Sequence, residues 1–122
     1  MLYEKYIRVL YIDLDHESVR IENREDLKQY LGGVGVASKL LEENLLPEAD
    51  ALDPRQPVVF AIGALSTIFP VVTKTVAMFK SPLTGELGES YAGGRMALSM
   101  QMAGYDAIVI SGAQKRASYL SI

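Results

Sequence analysis

No cysteine occurs anywhere in the 122 residues, which excludes a disulfide, a thiolate zinc site and a cysteine-ligated iron–sulfur cluster built from this chain alone. Any such centre would have to be supplied from elsewhere. Histidine is nearly as scarce: His16 is the only one, it falls at a turn tip, and no serine pairs with it to suggest a triad. An excess of positive charge is also missing, with 12 Lys and Arg against 15 Asp and Glu for a net charge of -3. That balance argues against a broad interface with nucleic acid or an anionic membrane, and leaves room for a local cationic pocket. No uncharged apolar run reaches the roughly 18 residues of a membrane span. The N-terminus lacks the basic-then-apolar pattern of a signal peptide, so the chain reads as cytoplasmic. Internal repeats, low-complexity tracts, a P-loop and a nucleophile elbow are absent as well.

What is present is a typical globular mixture, 49% hydrophobic and 22% charged, of a length that suits a single domain over residues 1–122. Tyr6 to Asp13 and Val19 to Glu22 read as a β-hairpin. Asp13, Asp15 and Glu17 lack the glycine and distal glutamate of an EF-hand and read as solvated turn residues. Asn23 is placed to cap a short helix over Arg24 to Leu31. After Gly32-Gly33-Val34-Gly35, the stripe Val36, Ala37, Leu40, Leu41 predicts a second, amphipathic helix that Pro47 stops. The glycine loop suits either a phosphate cradle or a tight helix-to-helix turn, but it lacks the spacing and preceding strand of a dinucleotide site.

Val58 to Ile62 is a continuous apolar run of strand length, predicted to be central and buried on both faces. Val71 to Phe79 alternates like a strand, placing Lys74 with Val76 and Met78. Ser81-Pro82-Leu83-Thr84-Gly85 is a turn, and Glu86 to Ala92 a returning strand. Gly93-Gly94 opens a helix over Arg95 to Ala103, expected to be buried around much of its circumference, with its methionines filling core. Gly104 stops it. Ala107 to Ile110 and a last piece, Ala117 to Ile122, read as strands. The fold class is α+β, with mixed or antiparallel sheets and a few short helices. Two lysines and a paired glycine opening a helix fall within one span, which suggests an anion-binding surface near Lys74, Lys80, Gly93, Gly94 and Arg95.

The succession Gly32-Gly33-Val34-Gly35-Val36-Ala37, Lys80 to Gly85, Ala92-Gly93-Gly94 and Ala103-Gly104-Tyr105-Asp106-Ala107-Ile108-Val109 resembles the N-terminal domain of the aldehyde ferredoxin oxidoreductase family. The order agrees over essentially the whole chain. The resemblance implies a pterin-binding domain of an enzyme that carries tungsten, sometimes molybdenum, in a bis-pterin cofactor with a bridging magnesium. It implies oxidation of aldehydes to carboxylic acids, with electrons passing through a [4Fe-4S] cluster to ferredoxin. The cluster cysteines would belong to C-terminal domains of the same enzyme, and the N-terminal domain would continue past Ile122.

Counting back from Ser81, the family's cofactor-binding arginine falls on Lys74, which keeps the charge but not the fork. The position whose main-chain carbonyl helps bind magnesium falls on Tyr91. Ala92, Gly93, Gly94 and Arg95 match the close-approach segment, and Val34 stands where many relatives have arginine. No residue here is expected to be a catalytic acid or base. The partners implied are ferredoxin, an aldehyde and the C-terminal domains, with a homo-oligomer left open. A non-catalytic binding module or redox-complex subunit that keeps the fold without the cofactor is the alternative. A structural fragment that associates through exposed sheet edges is another.

Overall fold

Apolar residues at every second position make β1 (Ile7–Asp13) a strand with both faces largely buried, and β2 (Ser18–Arg24) returns beside it through a four-residue turn. The Asp13 carboxylate holds that turn, accepting hydrogen bonds from the Asp15 and His16 amides and pairing with His16 Nδ1 at 2.7 Å. The hairpin and its solvated tip are therefore as expected. The computed structural model describes residues 3–121. Next come a 3₁₀ turn (Asp26–Tyr30), α1 (Gly33–Asn44), β3 (Val58–Ile62), β4 (Thr75–Lys80), β5 (Leu87–Ala92), α2 (Met96–Ala103) and β6 (Ala107–Ser111).

The strands form one six-stranded sheet in the order β2-β1-β6-β3-β4-β5, in which only β1 and β6 run parallel. This is the α+β mixed sheet the sequence implies. α1 covers one face: Val36, Ala37, Leu40 and Leu41 pack on Ile7, Val9, Val59, Ala61, Val76, Met78, Ala107 and Val109. Burying each of its larger side chains contributes about 1.5–3 kcal/mol. α2 covers part of the other face, with Ala97 and Met100 against Leu10, Ile12, Ile62 and Ile108. β3 is central, as predicted, although Val58 is exposed.

Asp106 ties three strands together where β6 begins. Its carboxylate accepts the Arg8 amide hydrogen at 2.8 Å, its own amide donates to the Arg8 carbonyl, and its carbonyl accepts from Ile62. Burial pushes this carboxyl up, against the pull of the Arg8 amide. A carboxyl raised in the folded state favours folding while protonated, and that contribution is lost as pH rises through the raised value. Asp106→Asn keeps an acceptor for Arg8 without the charge. It should match or exceed the natural chain in thermal melts near neutral pH and lack the decline between acid and neutral pH. A variant that melts lower at every pH would contradict this.

Several expectations are corrected. Asn23 does not cap a helix over Arg24 to Leu31: both Asn23 and Arg24 are the last residues of β2, and Asn23 Oδ1 accepts from Arg8 Nε at 3.1 Å. The helical piece shrinks to the 3₁₀ turn, ended by Leu31 at φ 65°. The strand expected from Val71 starts only at Thr75, because Val71 at φ 60° leaves the extended region and stands 96% exposed. Lys74 therefore precedes the strand instead of alternating within it. Residues 117–121 form no strand, since no sheet edge is paired with them; Ile122 lies outside the described residues. α2 is not buried all round: Leu98 is 38% and Met102 79% exposed, because the sheet covers only one of its sides. Met78 and Met100 do fill core, whereas Met102 does not.

Candidate functional site

Antiparallel pairing aligns Ile62 with Thr75 and Thr75 with Ala92, so one row of the sheet runs Ile62, Thr75, Ala92 across β3, β4 and β5. Gly63, Lys74 and Gly93 are the next residues along the three chains, just beyond these last pairs. At about 4.8 Å between neighbouring strands, the row is on the order of 10 Å wide. Lys74 and the twin glycines thus leave the sheet at the same end.

All six candidate residues gather here. Tyr91 and Ala92 are the last two residues of the edge strand β5, Gly93 and Gly94 turn the chain, and Arg95 is the N-cap of α2. Gly94 needs to be glycine for its φ of 77°. Gly93 does not: its φ is not positive, and a Cβ built there would meet nothing within 4 Å. The space it leaves open faces outward. Partial desolvation first and the Glu89 carboxylate second push the Tyr91 phenol up, and its hydroxyl donates to Glu89 Oε2 at 3.2 Å. The phenol is therefore a neutral donor already engaged, and Tyr91 has only its main chain to offer a cation.

Two carboxylates border this end, Glu89 on the Tyr91 hydroxyl and Asp106 on the Arg8 amide, and both are engaged. The Lys74 and Arg95 side chains are exposed and have no hydrogen-bond or ion-pair partner among the described residues. Neither the segment 63–78 nor the segment 90–105 contains an aspartate or glutamate. α2 starts without a side-chain cap or an acidic residue in its first turn, so its positive pole is uncompensated. Behind Lys74, Thr75 is 1% exposed and its Oγ1 is buried without a hydrogen-bond partner. An orphaned buried hydroxyl is costly and marks a place where an acceptor or donor is missing. Two free cations, open helix amides and a bare glycine backbone fit a polyanionic group such as a pyrophosphate or an organic phosphate.

Lys80 does not belong to this cluster. It pairs with Leu87 at the far end of β4, and its ammonium donates to the Pro47 and Ala49 carbonyls at 2.8 Å each. The Ser81 to Gly85 segment is likewise the distant β4–β5 turn, closed by the Gly85 amide on the Ser81 carbonyl at 2.8 Å. The Gly32 to Gly35 loop is a turn into α1 with Gly32 at φ 140° and Gly33 at φ 55°. Among the described residues no group of three His, Cys, Asp or Glu is placed to hold a metal ion, and no helix is long and apolar enough to cross a membrane. A cavity of about 280 Å³ opens at the opposite end of the sheet, lined by Tyr11, Arg20, Asn44, Arg55 and Ser111 among others. Its two arginines are committed, Arg20 to Glu22 and Arg55 to Asp53, so it offers no free charge.

A family model described as "Aldehyde ferredoxin oxidoreductase, N-terminal domain" matches residues 9–122. The chain belongs to the aldehyde ferredoxin oxidoreductase family. It is 31% identical over 124 residues to the tungsten-containing aldehyde ferredoxin oxidoreductase of Pyrococcus furiosus, covering 99% of this chain and 20% of that protein. The Thermococcus kodakarensis enzyme of the same name is 32% identical with the same coverage. The WOR-like subunit of an aliphatic sulfonate oxidoreductase from Pyrococcus furiosus is 32% identical over 94% of this chain and 19% of that protein. Among solved structures, a chain of the active site complex BamBC of benzoyl coenzyme A reductase, in complex with 1,5-dienoyl-CoA, superposes with a TM-score of 0.83 at 31% identity. The match covers 89% of this chain and 17% of that one. The chain thus spans about a fifth of the length of the curated relatives.

Sequence reasoning reached five of the six clustered positions through the glycine pair, and Lys74, expected inside a strand, by counting back from Ser81 along the family resemblance. It missed Thr75 and Gly63. For Gly63 a signal existed: it directly follows a buried apolar strand, as Gly93 follows β5.

Proposed function

We propose that this chain is the cofactor-holding N-terminal domain of an oxidoreductase that carries a tungsten or molybdenum bis-pterin and oxidises aldehydes to carboxylic acids. The observation that carries this reading is the end of β4 and β5 where the unpaired Lys74 and Arg95 side chains, Gly93 and the uncapped start of α2 adjoin, in segments that carry no acidic residue of their own. The family membership supports it. So do the relatives named as tungsten-containing enzymes. When bound, the group supplies the redox step, in which an aldehyde and water yield a carboxylic acid, two protons and two electrons.

This chain's own residues bind and orient. The Lys74 ammonium neutralises a phosphate as a point charge. The Gly93 and Gly94 main chain lets that phosphate or a pterin edge approach closely, and Arg95 adds a second positive charge at the α2 start. Ala92 keeps the last β5 residue small, and the Tyr91 main-chain carbonyl would be the donor offered to a magnesium ion. A [4Fe-4S] cluster, which this cysteine-free chain cannot hold, would supply the route for electrons to ferredoxin. The sulfonate oxidoreductase and benzoyl coenzyme A reductase relatives differ in substrate. That supports reading this domain as a shared cofactor base, with substrate chosen elsewhere in the enzyme.

The test is Lys74→Ala in the full-length protein, read as tungsten and pterin per protomer. Losing a charge-assisted contact should weaken retention by about tenfold to a hundredfold, and Lys74→Arg should restore it. Unchanged metal and pterin content in Lys74→Ala would remove the reading.

A further inference from the structure

Gly63 has no role in the reading above, yet it completes the row on the side opposite Gly93. Like Gly93, it has a φ that any residue adopts, and a Cβ built on it would meet nothing within 4 Å. Among the described residues nothing in the packing or backbone requires glycine there. It is half-buried at the end of β3, just beyond the pair of Ile62 with Thr75, the residue that follows Lys74.

A second helix start lies against it. Gly32, the N-cap of α1, sits so close to β3 that a Cβ on it would lie 2.9 Å from the Ile62 carbonyl oxygen, and one on Gly33 would lie 3.8 Å from Gly63 Cα. α1 also begins without a side-chain cap or an acidic first turn. The row therefore has an uncompensated helix pole at each flank, α1 beside Gly63 and α2 beyond Gly93, with the Lys74 ammonium between them. The orphaned hydroxyl of Thr75, the residue that follows Lys74, lies on the α2 side of the sheet, since Val76 and Met78 face α1.

From this juxtaposition we propose that Gly63 is a further contact of the cofactor bed, a bare backbone step on which the anionic group rests on the α1 side. This inference rests on the function proposed above. A three-strand row with a cation at its middle and open glycines at both sides suits a wide, flat guest bearing two phosphates better than a single phosphate, which Lys74 and α2 alone would satisfy. Glycine at position 63 is thus kept for the guest and not for the fold.

The experiment is Gly63→Ala in the full-length protein, with two readouts: tungsten and pterin per protomer, and the thermal melt of the protein freed of cofactor. The melt should not fall, because the new methyl group enters open space. Cofactor retention should drop by about tenfold or more, as a methyl inserted into a fitted contact does, and Gly63→Val should drop it further. Full occupancy in Gly63→Ala alongside depleted Lys74→Ala would overturn the Gly63 contact while leaving the proposed function standing. Full occupancy in both would overturn both. A Gly63→Ala protein that melts lower or does not fold would overturn the contact too, since the open space on which it rests would be absent.

Discussion

Gly32→Ala should loosen α1 from the sheet at a cost on the order of 2–6 kcal/mol, the sum of two independent penalties. The first is conformational: Gly32 sits at φ 140°, ψ -173°, a region that residues with a Cβ essentially do not occupy. The second is steric, because the added methyl would meet the Ile62 oxygen at 2.9 Å and the Ala64 nitrogen at 3.0 Å. Both are backbone atoms of the β3 end and cannot swing aside. Domains are stable by only about 5–15 kcal/mol, so this one methyl would remove a large share. Hydrogen exchange over α1 and β3 reads the loss directly, as faster exchange of the Val36 to Asn44 amides. A change within about 0.5 kcal/mol, the usual range for indifferent surface substitutions, would show that the helix is not held by this contact. The contrast with Gly63→Ala is informative, since the two glycines adjoin in space. One is glycine because the chain closes on it, and the other although the chain leaves it free.

How much of this was legible beforehand depends on which range of interaction decided each element. Local patterns decided the β1–β2 hairpin, α1, β3, β6 and the Gly104 stop, and these were read correctly. Gly104 sits at φ 85°, with its amide and that of Tyr105 donating back to the last turn of α2. Tertiary contacts decided the rest. The apolar character of α2 says that it is buried somewhere, but not that only Ala97 and Met100 are. The glycines before α1 announce a turn, but nothing local reveals that Gly32 presses on Ile62. Lys74 and Lys80 were placed on one surface although they are six residues apart. In extended chain that is about 20 Å at roughly 3.3 Å per residue, enough to separate them to opposite ends of β4. Arithmetic alone would have divided them. The row of Gly63, Lys74 and Gly93 lay beyond such arithmetic, since it exists only once β3, β4 and β5 are paired in register.

Arg24→Met should cost about 2–3 kcal/mol, less than the sum of its bonds, because its partners are partly exposed and recover water. The sequence placed Arg24 at the start of a helix. Instead it ends β2 with its side chain only 21% exposed, forked onto two carboxylates at once. It reaches Asp26 at 2.6 and 2.8 Å, Glu43 at 3.0 and 3.1 Å, and the Tyr11 hydroxyl at 3.2 Å. These bonds join β1, β2, the 3₁₀ turn and the last turn of α1, so their loss should speed exchange in β2 and at the α1 C-terminus together. The pH dependence gives a second readout. Arg24 holds the Asp26 carboxyl below its usual range. A lowered carboxylate stabilises the fold fully above the ordinary aspartate range, and that contribution is lost as pH falls through the lowered value. Arg24→Met should therefore be less stable near neutral pH and lose less than the natural chain on acidification, the two converging once Asp26 is protonated. If the variant instead stayed below the natural chain by a constant amount down through the acid limb, its cost would come from packing of the arginine stem and not from the ion pairs.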